Sequence, residues 1–482
     1  MTIARIILAG LAFAAAGGPA LAQVPAPPEA RSTTGPQRPA WLAFDDPVIL
    51  IRDVRLVDGT GGPARIGMSV LIRDGRIAGV GPGLAAPEGA RVIEGAGKTL
   101  TPGLVLMHEH MFYPTGRANY GEMSFSFPRL YLAGGVTTMR TAGSMSPYAD
   151  LNLRTEIAAG RTPGPDMDVT APYLNGPGLP IVQVNALEGV DDAERMVEYW
   201  AAEGATSYKT YMNITRAELG RVVELAHARG QKVTGHLCSV TYREAADLGI
   251  DNLEHGFFAA TDFVAGKQPD VCPDNAAVQA SLAALDPDAP EVQALIRHLV
   301  DRGVVLTSTL TIIETLTAGR PKAPEGALEL LTAPVRAQYE QVWPLVQQRT
   351  DPGSRNLLAN MMRLERAFAD AGGTLVAGTD PTGYGGVIPG FSSRRQLQLM
   401  LEAGFDFETV IRIASLDGAR FLGREAEVGS IAPGKRADLI LIDGDPSVDP
   451  TALDRFLYVF KSGVGYDPAV ILTGLRGTVG LH

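Results

Sequence analysis

Cysteine, basic charge and long apolar runs are all scarce in this chain. Cys238 and Cys272 are its only thiols. Two thiols make no disulfide framework, so the fold must rest on a hydrophobic core. An exported chain could pair them, and the sequence leaves that open. Lys and Arg total 42 against 53 Asp and Glu, a net charge of −11. No basic block or stripe is present, which argues against a nucleic-acid partner, because such proteins need cations to displace phosphate counterions. After the first residues no stretch is long and apolar enough to span a bilayer, so no stable membrane insertion is expected. What remains is ordinary: 482 residues, 45% hydrophobic and 20% charged. That length suits roughly two to four domains, or one large barrel with an accessory domain.

The opening residues, MTIARIILAGLAFAAAGGPALAQ, read as a secretory signal. Arg5 supplies the charged start, Ile6 to Ala16 the apolar stretch, and Ala20-Leu21-Ala22 the small-residue cleavage site. The alternative, a membrane anchor, would need about 20 apolar residues. Residues 1–22 are therefore expected to be removed near Ala22, leaving an exported protein, periplasmic or secreted. Residues 23–44 are expected to form a flexible linker, since they are rich in Pro, Ser and Thr.

From about Val48, VILIRDVRLVDGTGG and MSVLIRDGRIAGVGP alternate apolar and polar residues and break at Asp-Gly turns. That is the pattern of half-exposed antiparallel strands. It returns near the other end in GSIAPGKRADLILIDGD and FLYVFKSGVGYDPAVIL. Residues 45–100 and 424–482 are thus expected to form one small β-sandwich with a larger domain inserted between them. The inserted part, 101–423, alternates short apolar strands with helical segments. Strands are expected at 104–108, 136–140, 167–171, 207–212, 232–237, 252–256, 304–310 and 374–380. Eight strand–helix units predict a (β/α)8 TIM barrel. An open doubly wound sheet competes, but no Gly-rich phosphate fingerprint follows the first strand.

In such barrels the chemistry sits at the C-terminal ends of the strands. The first strand runs into LVLMHEHMFYP. Residues two apart on a strand share a face, so His108 and His110 can reach one point while Glu109 faces away. His236 ends the fifth strand, His255 the sixth, and Asp380 the eighth, while Lys209 lies within the fourth. Each alone reads as a packed or surface residue. Together they read as a metal site, because converging imidazoles and a carboxylate are zinc-type donors. His227 and His298 fall inside helices and His482 is the final residue. A lysine ammonium has no lone pair for a metal. A desolvated lysine loses its proton more readily, and the neutral amine can add carbon dioxide to become an anionic carbamate.

These motifs, with SYKTYM, KVTGHLCSVTYREAADLGIDNLEHG, AGTDP and the closing GSIAPGKRADLILID, resemble the metal-dependent amidohydrolase superfamily over nearly the whole mature chain. Within it the chain is similar to the branch of imidazolonepropionase-like proteins, bacterial prolidases and ochratoxin-type amidases. The resemblance implies two divalent metals, zinc by preference. His108 and His110 would bind the more buried ion, His236 and His255 the more exposed one, and carboxylated Lys209 would bridge them. Asp380 would bind the buried ion and act as catalytic proton shuttle for a bridging hydroxide. It also implies a small-molecule substrate and a homo-oligomer. Many members carry an aspartate two residues before the first histidine, where this chain has Leu106. That residue is not a ligand in the family pattern, so only a supporting hydrogen bond is in question.

The expected activity is hydrolysis of an amide or peptide bond, in an N-acyl amino acid or dipeptide with a free carboxylate. Specificity should come from loops after the strands. The segment 262–290 reads as a lid, and PTGYGGVIPGFSSRR after Asp380 as pocket lining. Tyr211, Tyr242, Tyr384, Arg394 and Arg395 are candidate substrate contacts, the arginines for their bidentate fit to a carboxylate. Two alternatives remain. One is a mononuclear enzyme that opens a cyclic amide or deaminates a ring, with Lys209 unmodified. The other is an exported metal- or ligand-binding protein without catalysis.

Overall fold

The alternating patterns from the two ends of the chain meet in one sheet. The computed structural model describes residues 39–116 and 119–481. The expected signal 1–22, the linker as far as residue 38, and His482 lie outside the described residues. Strand Val48–Leu56 pairs antiparallel with Arg65–Arg73, which pairs with Arg76–Pro82. On its other side it runs parallel to Lys98–Pro102, which pairs antiparallel with Leu439–Asp443 from the far end of the chain. Phe456–Lys461 and Val464–Tyr466 extend this nine-stranded sheet. Leu42–Phe44 forms the edge, so the last residues of the expected linker are already in the sheet. The tight turn between the second and third strands is Asp74-Gly75, both at positive φ (47° and 77°), the conformation an Asp-Gly hairpin supplies. The sheet's apolar cluster includes Ile49, Ile51, Val70, Leu100, Leu439, Leu441 and Phe460.

Between these ends lie eight parallel strands: β1 (Leu104–Glu109), β2 (Val136–Thr141), β3 (Asp166–Asp168), β4 (Ser207–Thr210), β5 (Lys232–Gly235), β6 (Asn252–Glu254), β7 (Val305–Ser308) and β8 (Leu375–Ala377). They are short and almost wholly buried, as parallel strands covered by helices on one side must be. One sheet has the order β3-β2-β1 and the other β4-β5-β6-β7-β8. Backbone bonds cross both seams. Thr170 bridges Ser207 and Leu174 bridges Thr210 in parallel. Past β8, the amides of Thr379 and Asp380 both donate to His108 O at 3.1 Å. Gly378 makes that approach possible, because a Cβ there would lie 2.4 Å from His108 Cβ.

Helices return the chain between strands. Thr215 and Glu218 form a capping box at the start of helix Arg216–His227, and Thr241 and Glu244 do so for Tyr242–Asp247. His227 and His298 stay on helices, beside Asp251 (3.0 Å) and Asp247 (3.1 Å). Cys238 and Cys272 form a disulfide, which settles the pairing the sequence left open. It ties the segment after β5 to the segment expected as a lid. That segment, 262–290, is not simply a loop, for it contains helix Asn275–Ala284. Among the described residues no helix is long and apolar enough to cross a membrane.

Candidate metal centre

The site begins at the end of β1. His108 and His110 are 2% and 1% exposed, with ring centroids 5.2 Å apart. Each ring is held by its Nδ1. His108 Nδ1 lies 2.7 Å from Glu254 Oε2, and His110 Nδ1 lies 3.3 Å from the carbonyl of Gly143. A carbonyl only accepts, so Nδ1 of His110 carries the proton and Nε2 keeps its lone pair. That Nε2 faces Asp380 Oδ1 at 3.1 Å, and His108 Nε2 lies 3.6 Å from the same oxygen. One donor atom from each of these three residues falls within 4.8 Å of the others. Two electron-pair donors this close repel unless a cation sits among them. The donor set therefore fits a divalent metal.

The remaining candidates gather around this trio. The His255 ring lies 4.5 Å from that of His108 and 4.5 Å from that of His236. His255 Nδ1 meets Thr309 Oγ1 at 2.7 Å. Lys209 Nζ lies 3.3 Å from Glu254 Oε1. The backbone turns sharply where two of these residues leave their strands: His255 and Asp380 have φ of 66° and 55°. This left-handed conformation is uncommon for residues other than glycine. It breaks strand alternation, so Glu254 and His255, although adjacent, both reach the centre.

Burial sets the protonation states. Desolvation pulls His110 down to about 4 and His236 to about 3, and holds His255 well below its usual value. All three are neutral and ready to donate to a metal. Burial alone would raise the carboxyls of Asp380 and Glu254. The neighbouring His108, with Lys209 for Glu254, outweighs it and holds both well below the usual range. Burial also draws Lys209 down to about 8, against the opposing pull of Glu254.

Two contributors were not among the sequence candidates. Glu254 joins His108, Lys209 and Arg140 through its two oxygens. Arg140, at the end of β2, also donates to Met107 O (3.1 Å), Ser207 Oγ (3.1 Å) and Thr234 Oγ1 (2.7 Å). Their signal was available: an Arg and a Glu in short strands otherwise buried on both faces. Glu109 does point away from the centre, to Thr379 Oγ1 at 2.6 Å. Leu106 is packed in the apolar core.

The expected substrate contacts separate. Tyr211 stands at the centre, its ring 4.9 Å from His236 and 4.9 Å from Tyr173. Tyr242 does not: it is fully buried and donates its hydroxyl to Gly256 O (2.8 Å) and Glu254 O (3.2 Å), bracing the end of β6. Tyr384 spends its hydroxyl on Thr315 O and stacks on Tyr339. Arg394 donates to Asp454 O and Ala133 O, and Arg395 pairs with Glu314. None of these four reaches the centre: Tyr242 is held by its own helix, Tyr242–Asp247, and helix Ser392–Glu402 turns Arg394 and Arg395 elsewhere. Tyr173, whose ring lies 6.4 Å from that of His110, is in the wall of a cavity of about 630 Å³ lined also by Ser144, Gln183, Arg195, Tyr199 and Trp200.

Neutral imidazoles converging with a carboxylate at the ends of parallel strands define an α/β protein with a candidate metal centre. The comparisons give the family. The model of the amidohydrolase family matches residues 99–466, and the chain belongs to that family, hydrolases that act on C–N bonds. Among solved structures it is similar to bottromycin amidohydrolase (23% identity, 89% of this chain and 91% of that one, TM-score 0.68). It is also similar to a Xaa-Pro dipeptidase (20%, 87% and 100%, 0.63) and to ochratoxinase of A. niger (17%, 87% and 95%, 0.61). At these identities the likeness is one of fold. A dihydroorotase of Geobacter sulfurreducens is 35% identical over 102 residues, 21% of this chain and 23% of that protein. The chain thus spans about a quarter of the length of that curated relative.

Proposed function

We propose that this protein is a metal-dependent hydrolase of amide or peptide bonds, acting on an N-acyl amino acid or dipeptide. The backbone bonds across both seams support reading the eight strands as a closed (β/α)8 barrel, with the terminal sheet folded as a β-sandwich beside it. The observation that carries the reading is His110 Nε2 facing Asp380 Oδ1 at 3.1 Å, with both histidine Nδ1 atoms already engaged. His108, His110 and Asp380 would hold one divalent ion, and His236 and His255 a second, with zinc the preferred metal. Lys209 would bridge them as a carbamate: its neutral Nζ adds carbon dioxide, an N–C bond forms, and a proton leaves. Bound there, the ions would lower the pKa of water to near neutrality and polarise the scissile carbonyl.

The chain's own residues then do the rest. Asp380 accepts the proton of the attacking water at a carboxylate oxygen and delivers it to the departing nitrogen. Glu254 and Thr309 hold His108 and His255 in fixed orientations. Tyr211 and Tyr173 screen the centre from solvent on the side of His236. The cavity lined by Tyr173 and Trp200 together with Gln183, Asp192 and Arg195 mixes apolar and polar groups and would take the acyl or side-chain part of such a substrate. We further propose export after cleavage near Ala22, and assembly as a homo-oligomer.

The test is a mass-spectrometric screen of zinc-loaded protein against acyl amino acids, dipeptides and lactams, with metal content measured per chain. About two ions per chain, activity on acyclic amides, and loss in Lys209→Ala with rescue by short carboxylic acids are expected. A sample indifferent to zinc and manganese overturns the reading and leaves a binding protein without catalysis. A second reading, opening of a cyclic amide at a single metal, is favoured by the partial dihydroorotase match. Lactam turnover at one ion per chain would select it.

A further inference from the structure

A second cavity, of about 480 Å³, lies against the start of helix Ser392–Glu402, and none of the six candidate metal ligands lines it. Its apolar walls include Tyr339, Trp343, Val387 and Phe391. Two of its lining residues are anomalous. Ser392 and Arg394 are only 4% and 5% exposed, and Ser392 Oγ and Arg394 Nε have no hydrogen-bond partner. A buried polar atom without a partner is destabilising, and a buried cation without a counterion more so.

The direct contacts of the Arg394 guanidinium are two carbonyls and a ring, with the Asp454 carboxylate acting on it from farther away. Nη1 donates to Asp454 O at 3.0 Å, Nη2 to Ala133 O at 2.8 Å, and the group lies 4.6 Å over Phe456. Among the described residues no carboxylate pairs with it. The Asp454 carboxylate accepts from Gln398, and Glu314 is taken by Arg395 and Arg320. Burial draws Arg394 down to about 10. The helix start adds the same sign of potential: its cap residue is Phe391, which supplies no side-chain acceptor.

We propose that this cavity binds a small aromatic carboxylic acid, its carboxylate meeting Arg394 Nε and Ser392 Oγ and its ring lying against Trp343, Tyr339 and Phe391. The acid supplies a directly paired counterion, which the more distant Asp454 carboxylate does not, and both missing acceptors, and the ring fills apolar space that water would occupy poorly. The site stands apart from the metal centre, and its ligand class does not depend on the hydrolase reading.

Trp343 makes the test direct. The other two tryptophans, Trp41 and Trp200, line different cavities. The full chain, metal-stripped and metal-loaded, is titrated with phenylacetate and with its neutral isostere phenylacetamide while tryptophan emission is followed. Saturable quenching by phenylacetate is expected in both metal states, with phenylacetamide weaker by about ten-fold or more. Arg394→Gln should weaken phenylacetate by about ten-fold. If that variant does not fold, Ser392→Ala and Trp343→Ala, followed by calorimetry, must each weaken binding while amide hydrolysis is unchanged. Three outcomes overturn the proposal: no saturable change up to roughly 10 mM, equal binding of the amide, or binding only when the metal centre is loaded.

Discussion

The sheet built from the two ends of the chain and the parallel strands between them have opposite interiors. The sheet buries Ile49, Val70, Leu100, Leu439 and Phe460 with no charged group in the cluster. The parallel strands bury Arg140, Lys209, Glu254, Asp380 and three histidines within a few residues of their C-terminal ends, with His236 partly buried beside them. An apolar interior gains stability with every side chain it removes from water. A charged one gains only when every partner is in place. The sheet is therefore a scaffold in which shape and volume matter. The strand ends are a preorganised donor set, held together by pairs such as His108 with Glu254, whose donors could hold a cation.

Four measurements can break or sharpen this contrast. The largest effect is expected for His108→Ala, which removes a donor and strands Glu254: kcat/KM should fall about a thousand-fold or more, near 4 kcal/mol in barrier, and the far-ultraviolet dichroism of the variant should stay native. Leu439→Ala should do the reverse. Unfolding free energy should drop by about 2–5 kcal/mol, while kcat/KM per folded molecule stays within about two-fold. If Leu439→Ala lost activity beyond its unfolded fraction, the two regions could not be treated as separate.

Next in size is the disulfide. It closes a loop with a sequence separation of 34, so Cys238→Ser should lower thermal stability by about 2–4 kcal/mol. Because Cys238 follows His236 by two residues, a drop in metal affinity beyond the loss in stability would show that the bridge also positions the imidazole.

The smallest effect is a pH dependence. Glu365, on helix Pro352–Asp370, is fully buried, and burial pushes its carboxyl up to about 8. The folded chain holds a proton that the unfolded chain releases. The contribution is fully present below the ordinary glutamate value of 4.5 and is lost as pH rises to about 8. Glu365→Gln should match the parent near the lower limit and exceed it at the upper by about 1–3 kcal/mol. Equal stabilities at the upper limit would show that the carboxyl finds a partner when ionised.

Much of this was legible before any coordinates. Eight apolar segments were visible because parallel strands are buried on both faces and their β-branched runs have few other uses. Their observed lengths are shorter at the ends that matter. The eighth was expected over 374–380 and is a strand only over Leu375–Ala377, because the chain leaves the ladder so that Asp380 can turn inward. Glu254 escaped notice because strict alternation points it away from His255, and the left-handed backbone at His255 cancels that alternation. Arg394 and Arg395 read as carboxylate clamps by type. Helix geometry turned one beneath Phe456 and the other toward Glu314.

The sequence by itself determined the periodicities, the donor types at strand ends and the apolar faces, since these depend on spacings of two to four residues along one chain. The tertiary structure alone decided that His110 faces Asp380 from 270 positions away, that Glu254 serves His108, that two thiols meet, and that Arg394 lies buried with its Nε unpartnered. Those outcomes depend on which strand ends come together and which way the backbone turns there, and packing of the whole core sets both.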